Sequence, residues 1–255
     1  MTIAKTACYT VGIVSDKNVS AKGNTVKMDT HTHTSGVSLC SGAQVDLLAK
    51  AFARKGLDRF VLTNHYTTRP VQGYASLDAQ AAHFCQEYTL ARAEGKKAGV
   101  AVLFGVEVAL DTFDGGYAEY LLFGITPQFL QTYPDIAQLN QEHLYKLCND
   151  NGILMYQAHP FRIQHGQYPQ NPYYIDGVEI NRHPSFSDNI KKVLEFADHY
   201  NLGVTCGSDL HHFNQVGSDG IFVTEDVKTE KALVKFLLKN KMPKIFMDHT
   251  IKVQL

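Results

Sequence analysis

Two short stretches carry most of the chemistry this chain can offer. Near the start runs Met28-Asp29-Thr30-His31-Thr32-His33-Thr34, and near the end Gly207-Ser208-Asp209-Leu210-His211-His212. Each puts two metal-ligand side chains two residues apart, just after an apolar run. Residues i and i+2 of an extended strand face the same side, so His31 with His33, and Asp209 with His211, can each converge on one ion. His65 follows the apolar run 60–63, Glu107 lies in the run 100–108, and His159 follows the run 153–157. Imidazole and carboxylate together, without a paired-cysteine motif, suit Zn, Mn or Fe. Five histidines and two carboxylates exceed what one tetrahedral ion needs, so two or three divalent ions sharing a carboxylate are expected. Glu107 is the best bridge, because a carboxylate inside an apolar strand is costly unless something pairs with it.

The charge of such a centre points to its substrate. Two divalent ions bring about +4, and Glu107, Asp209 and a bridging hydroxide offset only part of it, so an anionic substrate is favoured. Arg162, three residues after His159, can hold a phosphate oxygen through a forked hydrogen bond. Arg69 and Arg182, on other loops, can do the same. His183, in Asn181-Arg182-His183-Pro184, is a candidate proton donor to the leaving group, and Asn181 a contact for metal-bound water. Asp29 either orients a ligand from behind or forms a strand-end turn. The expected reaction is hydrolysis of a small phosphate monoester by a metal-bound hydroxide. A nucleotide phosphodiesterase using the same site, and a metal-binding regulatory module with a decayed centre, are the alternatives. His83, His143, His199 and His249 read as structural, and His165 and His212 have no spacing argument.

These residues need a scaffold that brings distant strand ends together. Apolar runs at 25–28, 60–63, 100–108, 120–125, 153–157, 177–180 and 203–206 alternate with helical spacing over 43–55, 78–99, 135–151, 187–201 and 229–240. Gly99 and Gly152 stand where helices should stop. The alternation predicts parallel strands with crossover helices. About seven units favour a closed barrel, whose sites form at the C-terminal strand ends. The candidates lie at such ends. Val11–Val14 is a further candidate strand, residues 1–24 read as a hairpin or extension over one end of the barrel, Gly115-Gly116 as a turn, and 165–172 as a long active-site loop.

Composition sets the outer bounds. The 255 residues suffice for one domain, with 44% hydrophobic and 19% charged residues and a formal net charge of -1. Nothing there favours nucleic acid or an anionic membrane. The apolar runs are too short to span a bilayer, and the N-terminus lacks a secretory pattern. Five cysteines, an odd number without tight spacing, argue against a disulfide framework and make the cytoplasm the expected compartment. The oligomeric state is not legible.

The ordered set Asp29-Thr30-His31-Thr32-His33, Leu62-Thr63-Asn64-His65, Gly105-Val106-Glu107, Ala158-His159-Pro160 and Gly207-Ser208-Asp209-Leu210-His211 resembles the motifs of the PHP (polymerase and histidinol phosphatase) domain family, over roughly residues 25–225. The resemblance implies a distorted (β/α)7 barrel, of TIM-like type, with a two- or three-metal centre and phosphoesterase activity. By position, one ion would take His31, His33, Glu107 and Asp209, a second would share Glu107 with His159, and a third would use His65 and His211. The chain departs from the pattern in three places. Ser38-Leu39-Cys40 replaces a histidine region, Asn64 stands where many relatives have Asp, and Gly124-Ile125-Thr126 offers no ligand. Cys40 can stand in as a soft ligand.

Overall fold

The computed structural model describes residues 13–14, 25–68, 73–181 and 186–247. The chain order is β1 (Ile13–Val14), β2 (Thr25–Thr32), α1 (Val45–Arg54), β3 (Arg59–Leu62), β4 (His65–Tyr66), α2 (Leu77–Ala98), β5 (Ala101–Asp111) and β6 (Tyr117–Phe123). It continues with α3 (Pro127–Thr132), α4 (Gln141–Asp150), β7 (Leu154–Gln157), β8 (Gly177–Asn181), α5 (Phe186–Tyr200), β9 (Gly203–Gly207), β10 (Asp219–Thr224), α6 (Glu230–Lys239) and β11 (Ile245–Met247).

Local chemistry sets the helix limits. Ser76 caps α2 by accepting the Ala79 N–H, and Gly99 ends it in the left-handed conformation at φ 73°. The helix expected over 135–151 is broken. Leu139 is extended, and Asn140 accepts the His143 N–H, so α4 starts afresh after a short 3₁₀ turn at Ile136–Gln138. Asparagine favours a cap over a helix interior because its side chain competes for backbone donors. An additional short helix, α3, starts where Thr126 caps and Pro127 follows.

The strands β2, β3, β5, β6, β7, β8 and β9 lie side by side in that order. The loop closes from β9 back to β2 through a parallel bridge between Thr32 and Leu210. There the His33 N–H donates to Leu210 O at 3.0 Å and the Leu210 N–H to His31 O at 3.2 Å. The result is the expected barrel, with one correction: the strands are not all parallel. β6 runs antiparallel to both β5 and β7, because the short Gly115-Gly116 turn can only return the chain as a hairpin. β10 and β11, unread in the sequence, extend the sheet beyond β2 in antiparallel pairing. β1 pairs in parallel with β11. The rest of 1–24 lies outside the described residues.

The interior is filled by β5, buried without a break from Val102 to Val108, and its neighbours. Opposite the site, Arg59 is buried, and its Nη1 donates to the carbonyls of Thr224, Glu225 and Val227. Among the described residues, no helix is long and apolar enough to cross a membrane.

Candidate metal centre

The barrel rim gathers the candidates around Glu107. Its Oε1 lies 3.2 Å from both His31 Nε2 and His159 Nε2. Its Oε2 lies 2.7 Å from His65 Nδ1 and 3.4 Å from His33 Nε2. Glu107 does not end its strand as expected: β5 runs on to Asp111 in the hairpin, and the rim crosses it at Glu107, where β4 pairs His65 beside it. Asp209 closes the group, with Oδ1 at 3.4 Å from His31 Nε2 and 3.2 Å from His33 Nε2.

The far nitrogens of three imidazoles are already engaged. His31 Nδ1 is 2.9 Å from Glu179 Oε1, His33 Nδ1 is 3.2 Å from Ser38 Oγ, and His211 Nδ1 is 2.8 Å from Asp209 O. Ser38 gives its own proton to Asn64 Oδ1, so His33 donates and Ser38 accepts. Acceptors at Nδ1 place the proton there and leave the Nε2 lone pair for a cation. Consistent with this, His31 Nε2 and Glu107 Oε2 are buried without a hydrogen bond. Groups that approach one another yet do not hydrogen-bond suit a shared ion at their focus. The residues therefore fit a metal centre.

Three triads of ligand atoms lie close enough to share an ion: His31, His33 and Glu107; His65, Glu107 and Glu119; and His33, His65 and His211. Glu119 was not legible as a site residue. It lies near the start of β6, which antiparallel pairing carries to the same rim, with Oε1 at 3.6 Å from His65 Nδ1 and Oε2 at 3.6 Å from His159 Nε2. A reading that looked only at the C-terminal ends of parallel strands passes over it. Glu179, on β8, was also missed. Besides holding His31, its Oε2 accepts the His159 N–H at 3.2 Å. A buried acid among Val178 and Ile180 was its signal.

Electrostatics favours cations here. Glu107 and Glu179 are fully buried, Asp209 and Glu119 largely so, and Arg162 is the one guanidinium among the described residues that touches them. Burial pushes the Glu119 carboxyl up to about 7, and neighbouring Glu107 adds to it. Burial opposes ionisation of Asp209, but His31 and Arg162 outweigh it and hold the acid well below the usual range. Burial, with His65 beside it, keeps His33 well below the ordinary imidazole range, the neutral form a ligand requires. Burial also works against the Cys40 thiolate, yet hydrogen bonds from His211 and His65 bring that thiol down to about 6. Cys40 Sγ is 3.2 Å from His211 Nε2.

Backbone strain sits at the same rim. His159 and Asp209 have φ of 30° and 52°, a region unfavourable to side-chain-bearing residues and concentrated at functional sites. Gly207 permits the close approach that closes the centre, since a Cβ there would lie 2.4 Å from His31 Cβ.

The other candidates divide. Asp29 reaches no imidazole. Its Oδ1 accepts the backbone N–H groups of His31 and Ser208, and Oδ2 accepts the Ser208 hydroxyl, so it ties the two ligand-bearing strand ends together. Asn64 accepts the Thr34 N–H and the Ser38 hydroxyl, shaping the loop to Cys40. Arg162 Nη2 donates to Asp209 Oδ2 at 2.7 Å and Asn181 Oδ1 at 2.5 Å. Asn181 thus braces Arg162. Gln157 holds the expected active-site loop, donating to Tyr168 O and accepting the Gln170 N–H. His83, His143 and His199 sit on helices and His212 caps a short 3₁₀ turn. Arg69, Arg182, His183 and His249 lie outside the described residues.

Solved structures share this architecture. PsfC of Pseudomonas syringae superposes with a TM-score of 0.65 at 17% identity, covering 89% of this chain and 93% of that one. A two-domain Bacteroides vulgatus protein containing a predicted PHP-like metal-dependent phosphoesterase gives 0.61 at 17%, covering 88% of this chain and 65% of that longer one. A Bifidobacterium adolescentis protein provisionally described as a metal-dependent phosphoesterase gives 0.51 at 12%, covering 83% and 96%. No protein-family model and no curated protein matches the chain. The fold is that of PHP-like proteins, as the five motifs predicted.

Proposed function

We propose that this chain is a metal-dependent phosphoesterase acting on a small phosphate monoester. The observation that carries the reading is Glu107, whose two oxygens face four imidazoles at 2.7–3.4 Å. His31, His33, Glu107 and Asp209 would hold one divalent ion. Glu107, His159, Glu119 and His65 would hold a second, and His65, His211 and Cys40 a third. Bound Zn, Mn or Fe supplies Lewis acidity and lowers the pKa of coordinated water.

The protein's own groups do the rest. Glu179 and Ser38 fix the ring orientation of His31 and His33. Asp29 keeps the two strand ends in register. Arg162 meets the cluster at Asp209 through Nη2, and Nη1 and Nε take no part in those bonds. A phosphoryl oxygen bound there would gain the charge-assisted donors that phosphate recognition uses. The arginine and the positive charge of two ions favour a phosphate over a neutral ester or amide.

The test is p-nitrophenyl phosphate hydrolysis with added Mn or Zn, comparing wild type with His31→Ala. Turnover by wild type and near-background rates in the variant are expected. Equal rates would overturn the assignment. Wild-type protein that binds less than one ion per chain and turns over nothing would instead be a decayed, regulatory module.

A further inference from the structure

Beside the ligand cluster lies a cavity of about 480 Å³, within the ~300–1,000 Å³ of small-molecule sites. Cys40, His65 and Glu119 form its inner end, so it opens onto the proposed centre. Val37, Leu39, Leu77 and Ala109 make apolar walls, with Tyr74 and Tyr117 as aromatic sides. Leu39 is 57% exposed, and a bound apolar group would cover it. Ser38, Thr67, Thr68, Ser76 and Gln80 add uncharged polar groups to the lining. Gln80 Nε2 is already committed to Thr67 O at 2.9 Å. Among the described lining residues there is no Lys or Arg, and the acid present is Glu119. Arg162 stands apart, at Asp209.

This arrangement separates two recognition tasks. One anion is served at the Asp209 and Arg162 side, and the described walls of the cavity away from Cys40, His65 and Glu119 carry no Lys or Arg. A polyhydroxylated sugar would lose hydrogen bonds to water wherever it met the valine, leucine and alanine walls. An apolar body would instead displace water from leucine, valine and tyrosine surfaces.

Resting on the phosphomonoesterase reading, we infer that the group esterified to phosphate carries an apolar body, aryl or cycloalkyl, seated in this cavity. Two comparisons matched in leaving group test it on the full chain with Mn: 1-naphthyl against phenyl phosphate, and cyclohexylmethyl phosphate against glucose 6-phosphate. The larger apolar member of each pair should show kcat/KM about tenfold higher. Ala109→Phe, which fills the cavity, should cut both preferences about tenfold. Leu39→Arg, at an exposed position that leaves the core intact, should lower the second preference by placing a charge on the apolar wall.

Fluorescence titration with 1-naphthylphosphonate adds a readout independent of turnover, with saturable binding in wild type and loss in Ala109→Phe. If sugar and apolar phosphates are hydrolysed equally and neither variant alters the ratios, the inference falls while the phosphatase reading stands. If no monoester is turned over, the phosphatase reading fails. The titration then decides the cavity alone, saturable binding lost in Ala109→Phe upholding it as an apolar-ligand site and no binding overturning it.

Discussion

At Glu107 a single carboxylate, sealed from solvent, faces His31, His159, His33 and His65, with no guanidinium or ammonium against it among the described residues. A protein does not bury such a charge uncompensated, and the Nδ1 partners of His31 and His33 leave their other nitrogens aimed at it. Cys40 lies in one of the three segments where this chain departs from the motif pattern it resembles. Its sulfur faces His211 Nε2 at 3.2 Å, and thiolate ligands favour soft or borderline ions. Cobalt-substituted protein should therefore show a sulfur-to-cobalt charge-transfer band. Cys40→Ser should abolish the band and bind about one ion fewer per chain. A wild-type spectrum without the band removes Cys40 from the ligand set. Buried Cys85 and Cys148, pushed up to about 11 and 12 by burial, should stay unreactive to alkylating agents at neutral pH.

Among elements, the β5–β6 hairpin has the largest effect on the site. By reversing direction it delivers Glu119 from near a strand start to the rim that the parallel strands reach at their ends. At the opposite end, β7 and β8 are stitched by Asp176, whose Oδ2 accepts the Met155 N–H at 2.8 Å. Burial raises the Asp176 carboxyl above its usual range, against the pull of the Met155 amide and Lys241. A carboxyl raised on folding binds its proton more tightly in the folded chain, so stability falls as pH climbs from the unfolded value, about 3.9, through the folded one. Asp176→Asn keeps an oxygen for Met155 and loses the charge. The variant should melt above wild type at pH 7, and the two melting curves should converge as pH falls towards about 4. Thermal melts at several pH values check this, and a constant gap across that range would contradict it.

For the molecule as a whole, folding gathers four carboxylates, Glu107, Glu119, Glu179 and Asp209, against one contacting guanidinium. Ions that bind the folded chain and not the unfolded one stabilise it by mass action, about 2.7 kcal/mol at a hundredfold excess over Kd. For a chain of this size that is a rise of roughly 5–10 °C in Tm. Scanning calorimetry with and without Zn or Mn should show such a rise, and His31→Ala should largely remove it. An unchanged Tm in wild type would mean that the rim is not a cation site.

The sequence alone determined most of the candidate ligands and their spacing. His-x-His and Asp-x-His at strand exits, and a lone acid in the apolar run around Glu107, are local signals, because strand geometry alternates side chains and burial penalises an unpaired charge. The helix stop at Gly99 was equally local. What tertiary structure decided is which distant groups meet. The reversed β6 brings Glu119 in, β8 sets Glu179 behind His31, and Asp29 serves the closure of β9 onto β2 instead of an imidazole. Those outcomes depend on the direction and register of strands far apart in the chain, held by backbone hydrogen bonds that any residue can make. No side-chain pattern along the chain encodes them, and only the closed barrel turns the list of ligands into a centre.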